Sequence, residues 1–435
     1  MKKFFAILLI ATAACVCFKA VSAYAGEMDL LLEKLVEKGL LTPGEAQQVK
    51  TETKEQIKKE IAQAKYDLLP EWLQKVKFKG DFRLRYQWDK DKGQDDNNRA
   101  RIRVRLGTDV KVNDQMKVGV GIATGKTSDQ RSTNVTIGNS STSNAPASFK
   151  DIILDYAYGQ YNPTTWFTFT GGKFKNIIWQ TTDLLWDTDL NPEGAAAQFD
   201  YRLNPTVGLF ANALFFWMRN DTRSDKQPMM FAVQPGVNLT LADKYSIKAA
   251  VADYVFAAVK GTSTFSKWAT NSATPGTSGS SKVYIYNYNS VNPSVEMNIK
   301  DPFAGISGFL NQRIPSAGIF RDFVYNYSPK LKHSRSGWDA GFKFGHEKVG
   351  DWGQWQAKFL YARLGRDAWL DIFPDSDRYS GKTNMKSFEA IYEFGLGKNA
   401  SISLDYYYSR NLTKTTAAAS YSPSQTIQVD WNLKW

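Results

Sequence analysis

Residues 76–88 read "VKFKGDFRLRYQW". Val76, Phe78, Gly80, Phe82, Leu84, Tyr86 and Trp88 fall on one side of a two-residue period. Lys77, Lys79, Asp81, Arg83, Arg85 and Gln87 fall on the other. That period belongs to an extended strand, whose side chains alternate between faces. Residues 99–112, "RARIRVRLGTDVKV", repeat it: Ala100, Ile102, Val104, Leu106, Thr108, Val110 and Val112 alternate with Arg101, Arg103, Arg105, Gly107, Asp109 and Lys111. Strands of a soluble sandwich rarely carry so many charges on one face. At about ten residues or more, these have the length and polarity of tilted transmembrane strands.

The pattern continues along the chain. Candidate strands lie at 116–124, 150–161, 165–175, 195–204, 206–218, 229–241, 245–256, 282–289, 293–300, 304–313, 317–327, 337–346, 354–364, 387–396, 401–410 and 426–435. With the first two this makes eighteen, or sixteen without the weak patterns at 293–300 and 304–313. Short connections such as 112–115, 162–164, 242–244 and 397–400 alternate with long ones such as 125–149, 257–281, 365–386 and 411–425. Short periplasmic turns and long external loops produce this asymmetry in an all-β, up-and-down, antiparallel transmembrane barrel of 16–18 strands. Either even count places Val76 and Trp435 on the same, periplasmic side. The last stretch, "TIQVDWNLKW" at 426–435, is expected to close the barrel against the strand starting near Val76. Ile427, Val429, Trp431, Leu433 and Trp435 would then face lipid.

Composition agrees. The 435 residues include 13 Trp, 21 Tyr and 26 Phe, yet mean hydropathy is −0.41. A helical membrane protein would not average polar, whereas a barrel does, because half of each strand faces a wet lumen. Residues 1–25, with Lys2 and Lys3 ahead of the apolar run Phe4–Phe18 and an Ala23-Tyr24-Ala25 site, read as a signal peptide rather than an uncleaved anchor. Both cysteines, Cys15 and Cys17, lie within it, and a lipoprotein reading through Cys15 is weak because Thr12 stands where a lipobox has leucine. Export without cysteine points to a closed hydrogen-bond network in place of disulfides. The formal charge is +12; removing Lys2, Lys3 and Lys19 from a segment without Asp or Glu leaves +9. An exported chain with that excess meets anionic solutes or acidic lipid surfaces, not nucleic acid.

Between signal and strands, residues 26–75 read as a periplasmic helical hairpin. Thr42-Pro43-Gly44-Glu45 is a capping box, and Ala46, Val49, Thr53, Ile57, Ile61 and Ala64 form a narrow apolar stripe. The stripe suits either a small coiled coil between subunits or a solvated spacer on the barrel floor. The expected division is therefore 1–25 signal peptide, 26–75 helical segment and 76–435 barrel.

At this point the mature chain resembles Gram-negative outer-membrane porins of the "putative porin" group. The opening strand "FKGDFRLRYQW", the block "GGKFKNIIWQTTDLLWDTDLNPEGAAAQF" at 171–199, "LGRDAWLDIFPDSDRYSGKTN" at 364–384 and the prefix "KGLLTPGEA" carry the resemblance. Ile177-Ile178 stand where the group leads one to expect proline. The resemblance implies a homotrimeric diffusion porin in outer-membrane lipid and lipopolysaccharide, without naming a solute. It also implies that the terminal strand, through Trp431, Leu433 and Trp435, is the signal read by the barrel assembly machinery.

A pore needs a polar lumen, a constriction and a field across it. Arg83, Arg85, Arg99, Arg101, Arg103 and Arg105 share the polar face of two adjacent strands about 4.8 Å apart. They form either a selectivity ladder or a structural set paired with Asp81, Asp109 and loop carboxylates. Segment 176–194 carries Asp183, Asp187, Asp189 and Glu193 among Trp179, Leu184, Leu185 and Trp186. It reads as an inward-folded constriction loop facing those arginines, as a loop against a neighbouring subunit, or as a calcium site, though it lacks the EF-hand glycine. Chemistry other than passage is poorly served. The only histidines, His333 and His346, have no triad or metal-ligand pattern near them, and no phosphate loop occurs. The chain is not expected to be an enzyme, and no metal or cofactor is implied. The expected function is passive diffusion of small hydrophilic solutes and ions. Anion selectivity is the alternative specialisation, and a structural barrel tethered by its helices to peptidoglycan or to a periplasmic electron-transfer partner is the alternative class.

Overall fold

The computed structural model describes residues 34–38, 42, 44–45, 47–49, 52, 71–138, 147–220, 227–265, 270–275, 282–328, 334–413 and 423–435. The signal peptide, most of the helical segment and His333 lie outside the described residues. The chain divides into two units, Met1–Lys75 and Val76–Trp435. In the first, the capping box is formed: Thr42 N and Oγ1 donate to Glu45 Oε2 at 2.8 and 2.7 Å, and Glu45 N donates to Thr42 Oγ1 at 3.3 Å.

The second unit is a closed antiparallel barrel of sixteen strands. In chain order these are β1 (Val76–Asp91), β2 (Asn97–Lys111), β3 (Met116–Thr124), β4 (Ile152–Thr164), β5 (Phe167–Lys173), β6 (Glu193–Arg202), β7 (Val207–Trp217) and β8 (Met229–Leu241). There follow β9 (Tyr245–Ala257), β10 (Ser290–Lys300), β11 (Ser316–Asn326), β12 (Ser336–Gly345), β13 (Trp355–Leu364), β14 (Met385–Gly397), β15 (Ala400–Asn411) and β16 (Ser424–Lys434). Each strand pairs with the next, and β16 closes on β1 in a register running from Asp81↔Lys434 to Asp91↔Ser424. Closure leaves no strand edge to hydrogen-bond in lipid. The seam ends at Trp435, whose N–H donates to Gly80 O and whose O accepts from Gly80 N, both at 3.1 Å. The Trp435 ring lies where a Cβ on residue 80 would be, so this position admits only glycine.

Two sequence expectations fail here. Residues 304–313 are not a strand: Ser307 Oγ accepts from Leu310 N at 3.3 Å and caps a short helix, Gly308–Arg313. Residues 282–289 are not a barrel strand either. Lys282–Tyr284 pairs with Ala273–Pro275 in a hairpin of its own, and Tyr284 and Tyr288 are buried. The weak 293–300 pattern is real and belongs to β10. Losing two candidates preserves the parity, so Val76 and Trp435 share one end.

That end carries the turns 112–115, 165–166, 203–206, 242–244, 301–315, 346–354 and 398–399. The opposite end carries eight loops: L1 (92–96), L2 (125–151), L3 (174–192), L4 (218–228), L5 (258–289), L6 (327–335), L7 (365–384) and L8 (412–423). Outward positions are apolar and exposed, as at Val118, Val120, Ile122, Phe231, Val233, Leu404 and Trp431. Inward positions along the barrel are buried and polar, as at Arg85, Asp155, Gln234, Asn292, Asp339, Glu389 and Asp430. An apolar cluster nevertheless exists: Leu184, Leu185, Trp186, Trp369, Leu370 and Phe373 pack with Tyr254, Phe256, Val324 and Leu364. It lies inside the barrel, built by L3 and L7 against inward residues of β9, β11 and β13. Burying one such large side chain contributes about 1.5–3 kcal/mol, enough to hold a loop against the wall.

Candidate functional site

The period of β1 and β2 sends all six predicted arginines to the inner face, and the register sets Arg83 opposite Arg103 and Arg85 opposite Arg101. Like charges so placed repel unless carboxylates intervene. Arg85 makes a bidentate pair with Asp430, through Nε at 2.7 Å and Nη2 at 2.8 Å, and its Nη1 donates to Asp377 Oδ2 at 2.6 Å. Arg83 Nε lies 3.2 Å from Asp430 Oδ2. Asp81 accepts from Arg103 Nε at 2.9 Å and Arg105 Nε at 2.6 Å, and Asp89 accepts from Arg99 Nη2 at 2.6 Å. Asp109 does not join the ladder; it pairs with Lys79 at 2.9 Å. Arg101 differs from the other five. Its hydrogen bonds go to neutral oxygens, Gln87 Oε1 (3.2 Å), Ser132 Oγ (3.1 Å) and Asn134 O (3.2 Å); among the described residues it makes no ion pair at contact distance, and Asp377 acts on it only through space.

L3 touches widely separated strands. Trp179 N donates to Gln234 Oε1 of β8 at 2.8 Å. Thr181 N and Oγ1 donate to Asp322 Oδ2 of β11 at 3.1 and 2.7 Å, and Thr182 Oγ1 donates to Asp339 Oδ2 of β12 at 2.6 Å. Further along, Asp189 Oδ1 accepts from Arg105 Nη1 of β2 at 3.2 Å, while its Oδ2 accepts from Thr133 N and Oγ1 at 3.1 and 2.9 Å. Asn191 Nδ2 donates to Asp155 Oδ1 of β4 at 2.6 Å. Of the four predicted acids only Asp189 touches the ladder. Asp183 pairs with Arg378 at 2.9 Å, Asp187 accepts from Ser376 N at 2.9 Å, and Glu193 sits on β6 paired with Lys173 at 2.7 Å. Burial would raise the Asp189 carboxyl, but Arg103, Arg105 and the Thr133 donors outweigh it and hold it below its usual value. Burial, then Asp189 beside it, push Asp187 well above the usual carboxylate range.

Sequence reasoning missed L7 as a partner. Trp369 Nε1 donates to Leu185 O at 2.6 Å, Asp187 N donates to Phe373 O at 2.7 Å, and Asp377 reaches Arg85. Burial opposes ionisation of Asp377, yet Arg85 and Arg101 hold its carboxyl at about 2. Arg378 also pairs with Glu389 on β14. Arg131 of L2 donates through Nη1 to the carbonyls of Asp371, Pro374 and Gly381, each at 3.2 Å. The signal was present: "DAWLDIFPD" at 367–375 has the same apolar residues among carboxylates that marked 176–194.

Three cavities flank these loops. Toward the turn end, one of about 680 Å³ is lined by Asp81, Arg105, Tyr156, Lys175 and Trp435. A neighbour of about 690 Å³, sharing Lys175, is lined by Trp179, Asp183, Phe210, Lys248 and Lys358. Toward the loop end, one of about 810 Å³ is lined by Asp129, Thr133, Lys173, Asp189 and Phe216. Asp155, whose Oδ2 accepts from Lys175 Nζ at 3.2 Å, borders both the first and the third. Lys248 stands over the rings of Trp179 and Phe210 at 4.8 and 4.7 Å, and Lys358 over Phe320 at 4.9 Å. Neither lysine has a carboxylate partner among the described residues. Among the described residues no group of three or more His, Cys, Asp or Glu is placed to hold a metal ion. His346 Nδ1 lies 3.2 Å from Trp355 N, tied to backbone.

The sequence matches the family described as "Putative porin" over residues 45–94, 88–304 and 285–435. No curated protein matches it. Among solved structures, OprB of Pseudomonas putida aligns with a TM-score of 0.53 at 10% identity, covering 84% of this chain and 96% of that one. A likeness at that identity shows the shared fold. OmpT of Vibrio cholerae in its trimer form aligns at a TM-score of 0.44 and 11% identity over 83% of this chain and 99% of that one. DcaP of Acinetobacter baumannii aligns at 0.43 and 14% identity over 83% and 97%.

Proposed function

The chain belongs to the putative porin family, and from that premise we propose that this outer-membrane porin passes small hydrophilic solutes and ions through a lumen narrowed by L3. The observation that carries this is the pair of L3 anchorages: Thr181 and Thr182 on Asp322 and Asp339, and Asp189 on Arg105. A loop held at both places crosses the lumen instead of leaving it. Its apolar side packs on L7, and its Asp189 carboxylate meets the arginine ladder. Solutes cross beside β2 and β4, where Asp155 borders the cavities of both ends near the Arg105–Asp189 and Lys175–Asp155 pairs. Such paired charges order water and dipolar solutes and disfavour apolar ones. Arg101, Lys248 and Lys358, without carboxylate partners among the described residues, tilt the lumen toward anions.

The turn end faces the periplasm, and with it the helical segment ahead of Val76. Removing residues 27–70 tests whether that segment contacts peptidoglycan or steadies a trimer; unchanged wall association and trimer stability exclude both roles. The trimer contact is best sought on the outer wall of β8–β11. There Pro235, Val237, Ala249 and Pro293 leave a depression. Arg321 is exposed at mid-strand beside it, 5.9 Å from the Trp338 ring. A lipid-facing arginine at mid-bilayer costs about 2–4 kcal/mol, a cost a neighbouring subunit removes.

Single-channel recording in planar bilayers tests the proposal. The protein should give discrete conductance steps, and Thr181→Ala with Thr182→Ala, which frees the far anchorage of L3, should enlarge them. A folded protein that produces no steps overturns the reading.

A further inference from the structure

Asp322 of β11 and Asp339 of β12 stand directly opposite each other in the register. Both face inward and are buried, with 3% and 0% exposure. Directly opposite positions bring Cβ atoms within about 4.5–5.5 Å, so two buried carboxylates confront one another. L3 uses the Oδ2 atom of each: Asp322 accepts there from Thr181, and Asp339 from Thr182. The Oδ1 atom of each is buried with no hydrogen-bond partner among the described residues. Two buried like charges need a counter-charge. The cations that act on Asp339 through space are engaged elsewhere. Arg378 pairs with Asp183 and Glu389, and Lys358 stands over the Phe320 ring.

Three more buried oxygens collect on the same inner face. Ser294 of β10 is directly opposite Asp322 on its other side. Asn292 lies two residues along that strand, with its Nδ2 fixed on Phe323 O at 2.8 Å. Tyr254 of β9 is close enough to feel the Asp322 charge. Ser294 Oγ, Asn292 Oδ1 and Tyr254 Oη are all buried, and among the described residues none completes a well-formed hydrogen bond. Buried polar atoms are nearly always paired, so unpaired ones that cluster mark a place for an ion or an ordered water. A proton shared between the carboxylates would satisfy two of the five oxygens, whereas a cation can engage all five. The set is oxygen only, irregular in arrangement and doubly negative. That suits calcium, which takes about six to eight oxygens in flexible geometry and completes its shell with water; magnesium demands a near-ideal octahedron.

We propose that Asp322, Asp339, Ser294, Asn292 and Tyr254 bind a calcium ion beneath L3. Thr181 and Thr182 hold the two Oδ2 atoms and so orient the carboxylates toward the ion. The ion in turn cancels the repulsion within the pair that anchors the loop. None of the carboxylates of the acidic run in L3 belongs to the site. Its consequence for the pore rests on the reading above, that L3 narrows the lumen; the binding itself does not.

The test is isothermal titration calorimetry of full-length protein in lipid-free detergent, stripped with a chelator and titrated with calcium chloride or magnesium chloride. Wild type should take up a single calcium ion, about tenfold or more tighter than magnesium. Asp322→Asn with Asp339→Asn should abolish uptake. Ser294→Ala with Asn292→Ala, which leaves both L3 anchors in place, should weaken it about tenfold. Far-UV circular dichroism shows whether each variant folds, and if the Asn variant does not, the Ala variant decides. No calcium uptake by wild type, as a shared proton would give, overturns the site. So do equal affinity for magnesium and unchanged uptake in either folded variant. Calorimetry reads binding without current. Wild type that conducts but binds no calcium overturns the site alone, and wild type that binds calcium without channel steps overturns the porin reading alone.

Discussion

The rings of Trp186 and Phe373 stack with centroids 4.5 Å apart and planes 19° from parallel. This contact joins L3 to L7 into one internal partition, tied to β2, β11 and β12 through L3 and to β1 and β14 through L7. Phe373 is 1% exposed and Trp186 3% exposed, although both belong to loops. Polar walls alone would not hold them there; the apolar cluster inside the lumen does.

Phe373→Ala should therefore cost about 3–5 kcal/mol within the partition. The barrel wall has its own closed ladder and should remain intact. Limited proteolysis should show L3 and L7 becoming cleavable while the barrel resists, and single-channel current should become noisier. Equal protease resistance in the variant contradicts the partition.

Asp377 sets an acid limit on the same partition. Its carboxyl lies at about 2 when folded against an ordinary value of 3.8. A depressed carboxyl stabilises in full above the ordinary value and loses that contribution as pH falls through the folded one. Hydrogen-exchange protection of residues 374–381, corrected for intrinsic rate, should be steady above about pH 4 and fall toward pH 2. Asp377→Asn should lower protection at neutral pH and flatten the profile across that window. A wild-type profile that is already flat there contradicts the Arg85–Asp377 tether.

The seam predicts a different separation of effects. Deleting Trp435 removes both backbone hydrogen bonds to Gly80 and empties the space above it. Assembly into the membrane should fall severalfold, because an unclosed seam leaves polar backbone at the lipid boundary. Barrels that do assemble should still conduct, with at most a modest change where the Trp435 ring borders the turn-end cavity. Normal assembly with altered conductance would assign Trp435 to the lumen instead of the seam.

Much of the fold was legible because lipid and lumen impose opposite polarities on alternate residues, as "VKFKGDFRLRYQW" illustrates. The same signal misled at 282–289. "KVYIYNYN" alternates because Tyr284 and Tyr288 turn inward to Asp371 and Asp367 at 3.0 and 3.3 Å, not because one face meets lipid. At 304–313 a serine cap outweighed a weak alternation. The ladder's direction followed from the period alone. Its partners did not, because Asp430 and Asp377 lie more than 290 positions from Arg85, and only closure of the barrel and infolding of L7 bring them together. Asp187 was expected to face the arginines; it turns instead to the backbone of L7.

The central claim is that solutes pass a constriction whose field is set by the arginine ladder. It is tested most directly by reversal potentials under a salt gradient, for wild type and for Arg101→Gln with Arg103→Gln and Arg105→Gln. The account predicts that the variant assembles and conducts, and that its reversal potential moves toward cation selectivity relative to wild type. An assembled variant with an unchanged reversal potential would contradict it, and so would a variant that fails to assemble, which would make the ladder structural.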